Sequence, residues 1–236
     1  MEKVIAILCR SAQPDDRWCQ RLRGPVSAEL LDLGLPGLTV NVKDSDVRDS
    51  LMTLTTLDPP AVAVVSLWAQ QYYAPAVQAA LAMLRDECDA LAAYLVTESV
   101  PLPFASEPRS RTTGFANIAL LRRPARLDAE TWRTRWHIDH TPVAIETQST
   151  FGYTQNEVVR PLTPDAPALA AIVEELFPIE AVTDVKAFFG ADDDDELTRR
   201  MTRMVASTSA FGASENVDTV PTSRYVLRTP FETEAS

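Results

Sequence analysis

One short apolar run occurs twice in the chain, as IAILCR at residues 5–10 and as IALLRR at residues 118–123. Each copy is followed by polar residues, a proline and an acidic helix start, and then by a tryptophan, Trp18 or Trp132. A short apolar run bounded by polar residues is typical of a buried strand. The same order of features in both halves indicates an internal duplication, which determines how the whole chain is interpreted.

The patterns that follow each copy predict the remaining elements. Both halves continue with a Pro-Val pair and then with a glycine that begins a strand-like run, GLTVNV at 37–42 and GYTQNEV at 152–158. The first half then predicts a strand, a helix and a strand, at residues 61–68, 72–93 and 94–100. The second half predicts a short helix, a strand, a longer helix and a final strand, at residues 167–176, 182–189, 192–209 and 217–227.

We therefore expect an α+β protein made of two tandem ferredoxin-like units, each with the order βαββαβ. The units would span residues 1–102 and 114–236, joined by a linker at 99–113 that is rich in Pro, Ser and Arg. One such unit leaves a sheet face uncovered, so two of them would pack sheet to sheet as a pseudo-dimeric α/β barrel. We expect a cavity between the two sheets.

Composition excludes several classes of function. The net charge of −11 argues against a nucleic-acid partner, because phosphate contacts need a basic surface. No apolar run is long enough to span a bilayer, and the first residues do not resemble a secretory signal, so we expect a cytoplasmic protein without a membrane partner. Three scattered cysteines give no disulfide framework and no zinc pattern. A homodimer stays open.

Both histidines of the chain lie in the segment 128–148. At 100° per residue, one helix face carries Trp132, Trp136, Asp139 and His140, and His137 lies beyond its edge. Proline at 142 disfavours helical geometry in the residue before it and removes one backbone donor. The sequence therefore predicts that the helix kinks or ends near the second histidine.

This segment resembles the signature of the EthD family. The resemblance rests on Trp132-x-x-Arg135-Trp136-x-x-x-His140-x-Pro142, on the strand Phe151-Gly152-Tyr153-Thr154-Gln155-Asn156, and on the stretch Glu215-Asn216-Val217-Asp218. It covers residues 114–229 well. The first half looks like a diverged copy, because Arg23 stands where the histidine of a His-x-Pro motif would fall.

The resemblance implies a fold of the dimeric α/β-barrel group. Relatives in that group include cofactor-free lyases, dehydratases, isomerases, cyclases and monooxygenases that act on aromatic, lactone or polyketide-like molecules. The departure at Arg23 leaves at most one histidine-based site per chain. Fold alone does not determine the reaction, so the function has to be argued from the site.

The leading hypothesis is a cofactor-independent enzyme that acts on a small, largely apolar molecule with a carbonyl or hydroxyl group. His140 would be the general acid/base, because an imidazole can exchange a proton near neutral pH. Tyr153 would polarise the substrate oxygen. The expected substrate-binding residues are Trp136, Asp139, His137 and Asn156.

Strand alternation separates two of these residues. Tyr153 and Gln155 would share one face of their strand, whereas Asn156 would point to the other face and could orient the histidine region from there. A metal site is disfavoured because the chain has no third histidine. The sequence lacks a glycine-rich phosphate loop, which disfavours nucleotide binding.

Two alternatives stay open at this point. The first is a non-catalytic barrel that binds a small apolar molecule or assists a partner enzyme. The second is an oxygenase or haem protein, in which either histidine would supply the axial ligand. The leading hypothesis needs no cofactor.

Overall fold

Eight antiparallel strands close into a barrel in the computed structural model, which describes residues 1–105 and 107–230. The strands are β1 (Glu2–Cys9), β2 (Gly37–Val42), β3 (Ala61–Ala69), β4 (Ala90–Leu102), β5 (Phe115–Leu121), β6 (Gly152–Pro161), β7 (Ala171–Phe177) and β8 (Val217–Arg228). Their order around the barrel is β1-β3-β2-β8-β5-β7-β6-β4. The end of the expected second unit, at 231–236, and residue 106 of the expected linker lie outside the described residues.

Helices cover the outside of this barrel. They are α1 (Asp16–Arg21), α2 (Ser27–Asp32), α3 (Pro75–Arg85), α4 (Ala129–Arg133), α5 (Thr141–Thr147), α6 (Val185–Phe189) and α7 (Asp194–Phe211), with a 3₁₀ turn at Ile179–Val182. Two π-helical turns, Leu22–Val26 and Thr134–His140, join α1 to α2 and α4 to α5. None of the helices in the described part of the chain has the length and apolar character needed to cross a bilayer.

The predicted α+β class is confirmed, and the eight strands form the predicted barrel. The strands of the first half lie in the order β4-β1-β3-β2, and those of the second half in the order β8-β5-β7-β6. Pairs β2–β8 and β4–β6 join the halves.

Two predicted elements of the second half are wrong. Residues 171–176, expected within a short helix at 167–176, belong to β7 instead. The helix prediction failed because this run is buried on both faces, so its apolar residues show no strand alternation. Residues 182–189, expected as a strand, contain α6 instead. The Asp184 carboxylate accepts hydrogen bonds from the backbone N–H groups of Lys186 and Ala187, and this cap starts the helix. The predicted helix at 192–209 is confirmed as α7.

The interior of the barrel is packed at its centre. Inward-facing apolar side chains from both halves form one buried cluster, which includes Ile5, Ile7, Tyr94, Ile118, Ile172 and Val220. A second cluster fills the space between the first-half strands and their helices, and a third lies between the second-half strands and α4–α7. A cavity of about 260 Å³ opens at one end of the barrel and is lined by inward-facing residues of both halves, among them Lys3, Glu174 and Arg224, so the expected space between the sheets exists. His140 does not line it, and the expectation that the histidine site opens into that space is wrong.

The barrel cluster should supply much of the stability. Ile118 is 1% exposed within it, whereas Ile138 is 68% exposed on the helix outside. We expect Ile118→Ala to lower the free energy of unfolding by about 2–5 kcal/mol, through lost burial and a residual cavity. The matched change Ile138→Ala should alter it by less than about 0.5 kcal/mol. Urea unfolding of both variants tests this, and equal losses would contradict the assigned core.

Candidate active site

A continuous helix carries both histidines. The helix does not end at His140, because Thr141 has helical backbone angles of φ −54° and ψ −46°. Its N–H donates to the carbonyl of Trp136, five residues back, and its hydroxyl donates to the same oxygen at 3.0 Å. The π-helical turn thus places Pro142 in the first turn of α5. Proline has no backbone N–H, and its absence destabilises a helix least in the first turn. Such turns occur often at functional sites.

His140 is buried at the end of this turn and is 7% exposed. Its Nδ1 lies 2.9 Å from the hydroxyl of Ser207 on α7, and its ring centroid is 4.7 Å from that of Phe211. Burial lowers the pKa of the imidazole to about 4, so the ring is neutral at pH 7. When Nδ1–H donates to Ser207, Nε2 keeps a free lone pair.

A cavity of about 250 Å³ lies beside this imidazole, between the outer face of the second-half sheet and the helices. Its walls are mainly apolar, and include Leu121, Val173, Phe188, Met204, Phe211 and Val217. The loop after β2 adds Leu51, Met52 and Leu54, so the first half of the chain completes the cavity. No lysine or arginine is among the described residues that line it.

Three polar side chains lie in a row across the sheet side of this cavity. Glu175 on β7 is the register partner of Asn117 on β5 and of Tyr153 on β6. Because register partners in an antiparallel sheet point to the same face, the three side chains are neighbours. All three line the cavity together with His140.

Glu175 is the residue that sequence reasoning missed. It is 8% exposed and has no ion pair among the described residues. The side-chain amide of Gln148 lies 3.1 Å from one carboxyl oxygen. Burial raises the pKa of this carboxyl to about 8, so it is mostly protonated at pH 7. The adjacent Glu174 faces the barrel interior and pairs with Arg224 at 2.7 Å.

Tyr153 and Trp136, two of the expected site residues, line this cavity. Burial, followed by the nearby Glu175, raises the pKa of the Tyr153 phenol, which therefore stays protonated and can donate a hydrogen bond. Trp136 is fully buried, and its indole lies next to the Tyr153 phenol.

Three other expected site residues lie elsewhere. Asp139 is exposed to solvent, and His137 is half-buried with its ring 4.2 Å from that of Trp136. Asn156 points into the barrel, where its amide donates to the carbonyl of Ile172 at 3.0 Å. As none of the three lines the cavity, we leave them out of the candidate site, and Asn156 cannot orient the histidine through the sheet.

Comparison with known proteins identifies the fold and no more. No protein-family model and no curated protein matches the sequence, so the EthD resemblance is not confirmed. A solved structure described as an anthrone oxidase-like protein superposes with a TM-score of 0.51 at 6% identity, covering 98% of this chain and 96% of the other. Candidate monooxygenases from Lactobacillus acidophilus and Fusobacterium nucleatum each give a TM-score of 0.46 at 8% identity. Both cover 96% of this chain, and the matches cover 96% and 92% of those proteins respectively.

The raised pKa of Glu175 should make stability depend on pH. In the unfolded chain this carboxyl titrates near 4.5, and in the folded protein it titrates near 8. Its contribution to the free energy of unfolding is thus fully present below pH 4.5. That contribution falls by about 1.4 kcal/mol per pH unit as the pH rises to 8. Glu175→Gln cannot ionise, so it should be more stable than the parent protein at pH 8.

Urea unfolding at pH 5 and pH 8 measures this difference, since other groups titrate equally in both proteins. The neighbouring change Glu174→Gln breaks the ion pair with Arg224 and should lower stability at both pH values. A loss of stability for Glu175→Gln at pH 8 would show that the carboxyl is ionised and stabilised in the fold.

Proposed function

We propose that this protein is a cofactor-independent enzyme that performs acid/base chemistry on a small, uncharged, largely apolar molecule bearing a carbonyl or hydroxyl group. The reaction would be a dehydration, isomerisation, cyclisation or lyase step. The observation that supports this most is a buried, neutral imidazole facing an apolar cavity that lacks cationic side chains. A neutral imidazole can accept a proton at physiological pH, whereas an exposed one would be partly protonated.

The mechanism begins with proton transfer from carbon. Nε2 of His140 takes a proton from the carbon next to the substrate carbonyl, the electron pair of the C–H bond forms a carbon–carbon double bond, and the π pair of the carbonyl moves to its oxygen. The Tyr153 phenol donates a hydrogen bond to that oxygen and stabilises the developing charge. Return of the proton to another carbon gives an isomer, and its transfer to a departing hydroxyl gives a dehydrated product.

The surroundings of the cavity favour this chemistry. Apolar walls exclude water, which strengthens the hydrogen bond to the oxygen and prevents water from competing for the proton. The Ser207 hydroxyl holds the imidazole in one orientation. The absence of lysine and arginine among the described lining residues favours a substrate without a carboxylate or phosphate.

We also propose that the chain is a duplication of two ferredoxin-like units, 1–102 and 114–236. Support comes from the equal strand order of the halves and from a π-helical turn at the same place in each. In the first half, Arg23 hydrogen-bonds the Tyr225 phenol and pairs with Asp44, so that helix offers no equivalent proton acceptor. The expectations of a cytoplasmic protein and of a homodimer stay predictions from the sequence.

The function predicts exchange of C–H protons in simple ketones. We expect the protein to catalyse the exchange of the acidic C–H protons of 2-indanone, 2-tetralone or anthrone for deuterium in D₂O. The loss of these C–H signals in ¹H NMR spectra measures the rate. His140→Gln should lower the rate by about 10²–10⁴-fold. The rate should fall as the pH is lowered through about 4, since His140 becomes protonated there.

His137→Gln is the matched control, because it makes the same change in the same helix outside the cavity. It should exchange at the parental rate. Equal rates for the parent and His140→Gln would reject the assignment. Binding of all three ketones without exchange would reject the enzyme in favour of a binding protein.

A further inference from the structure

We propose that Glu175 is a second catalytic residue of this site, which protonates the substrate oxygen while His140 deprotonates carbon, so that the substrates are uncharged ketones. This inference rests on the proposed function and deepens it. The carboxyl stands in the middle of the polar row on the sheet, with Asn117 on one side and Tyr153 on the other. Its side chain lines the same cavity as the imidazole.

The packing around Glu175 explains why a carboxyl can act as a proton donor here. The titratable groups that face it are His140 from the π-helical turn and Tyr153 from β6. The elements α6, α7 and the loop after β2 contribute uncharged side chains to the cavity. No described lysine or arginine stands near enough to hold a carboxylate, and burial keeps the carboxyl mostly protonated at pH 7.

A structural role accounts poorly for this arrangement. Buried acids in proteins are normally paired, as Glu174 is with Arg224 on the other face of the same strand. Glu175 instead has one amide neighbour, Gln148, and its position faces an apolar space. A buried carboxylic acid with a raised pKa in a cavity is the pattern of a catalytic acid.

The two residues together complete the proton balance of enolisation. His140 Nε2 takes the proton from the carbon, the C–H electron pair forms the new carbon–carbon double bond, and the carbonyl π pair takes the proton of the Glu175 carboxyl. The products are an enol, an imidazolium and a carboxylate. For an isomerisation, the imidazolium then protonates a different carbon while the carboxylate regains the enol proton. No oxidant or reductant takes part.

The protonation states of His140 and Glu175 also determine the class of substrate. Both residues are uncharged before the reaction, so an anionic substrate would bury an unpaired charge, which is strongly unfavourable. An uncharged ketone avoids this cost. The ion pair that forms during the reaction consists of two opposite charges in one cavity, which stabilise each other there.

The test is the pH dependence of ketone exchange in Glu175→Gln. In the parent protein, the rate should fall as the pH rises through about 8, where the carboxyl ionises. Glutamine keeps the shape and can donate a hydrogen bond but no proton, so we expect a rate about 10²-fold lower at pH 7 and no fall near pH 8. Glu157→Gln, at an exposed ion pair with Arg133, should retain the parental profile.

Inhibitors give a second, independent measurement. 2-Naphthol resembles the enol of 2-tetralone and should inhibit exchange at pH 7, whereas the anion 2-naphthoate should not. If Glu175→Gln retains the parental rate and the fall near pH 8 while His140→Gln is inactive, the role of Glu175 is rejected and the proposed function stands. Comparable inhibition by 2-naphthoate would overturn the substrate class. If neither the parent protein nor any of the variants exchanges any of the ketones, the proposed function itself fails.

Discussion

Closure of the barrel is the constraint on which the rest of the structure depends. Once eight strands close and helices cover them, the central part of the strands is buried on both faces, and successive residues alternate between the barrel interior and the helix layer. Glu174 points into the barrel and pairs with Arg224, whereas Glu175 points into the helix layer and lines the same cavity as His140. Large side chains fill the barrel centre, a cavity lined by Lys3, Glu174 and Arg224 opens at one barrel end, and the cavity beside His140 lies outside the barrel.

Burial without a compensating charge then determines the chemistry. The same cause lowers the pKa of His140 to about 4 and raises that of Glu175 to about 8. Neither group has an ion-pair partner in the described part of the chain. At neutral pH His140 is therefore unprotonated and Glu175 is protonated, so both side chains are uncharged. Tyr153 stays protonated for the same reason. Acid/base assignments generally follow from environments that separate pKa values in this way.

The sequence predicted the fold class, most strands, α7 and the helix position of His140, because these follow from repeated apolar patterns. The helical wheel placed Trp136 and His140 on one face, and both line the cavity. It placed Asp139 there too, because it assumed 100° per residue, whereas the wider π-helical turn rotates less per residue and directs Asp139 to solvent. Glu175 was missed because its strand was interpreted as a helix. Recognition of that strand would have shown that one of two adjacent acids must face the helices.

The most direct test of this account is the protonation state of His140 and Glu175 at pH 7. NMR of protein that carries ¹⁵N-histidine and ¹³C-glutamate, assigned with His140→Gln and Glu175→Gln, measures both groups in one sample. The account predicts a neutral imidazole with one protonated nitrogen and a carboxyl largely in its acid form. An imidazolium beside a carboxylate would contradict it, since the cavity would then hold an ion pair before any substrate enters.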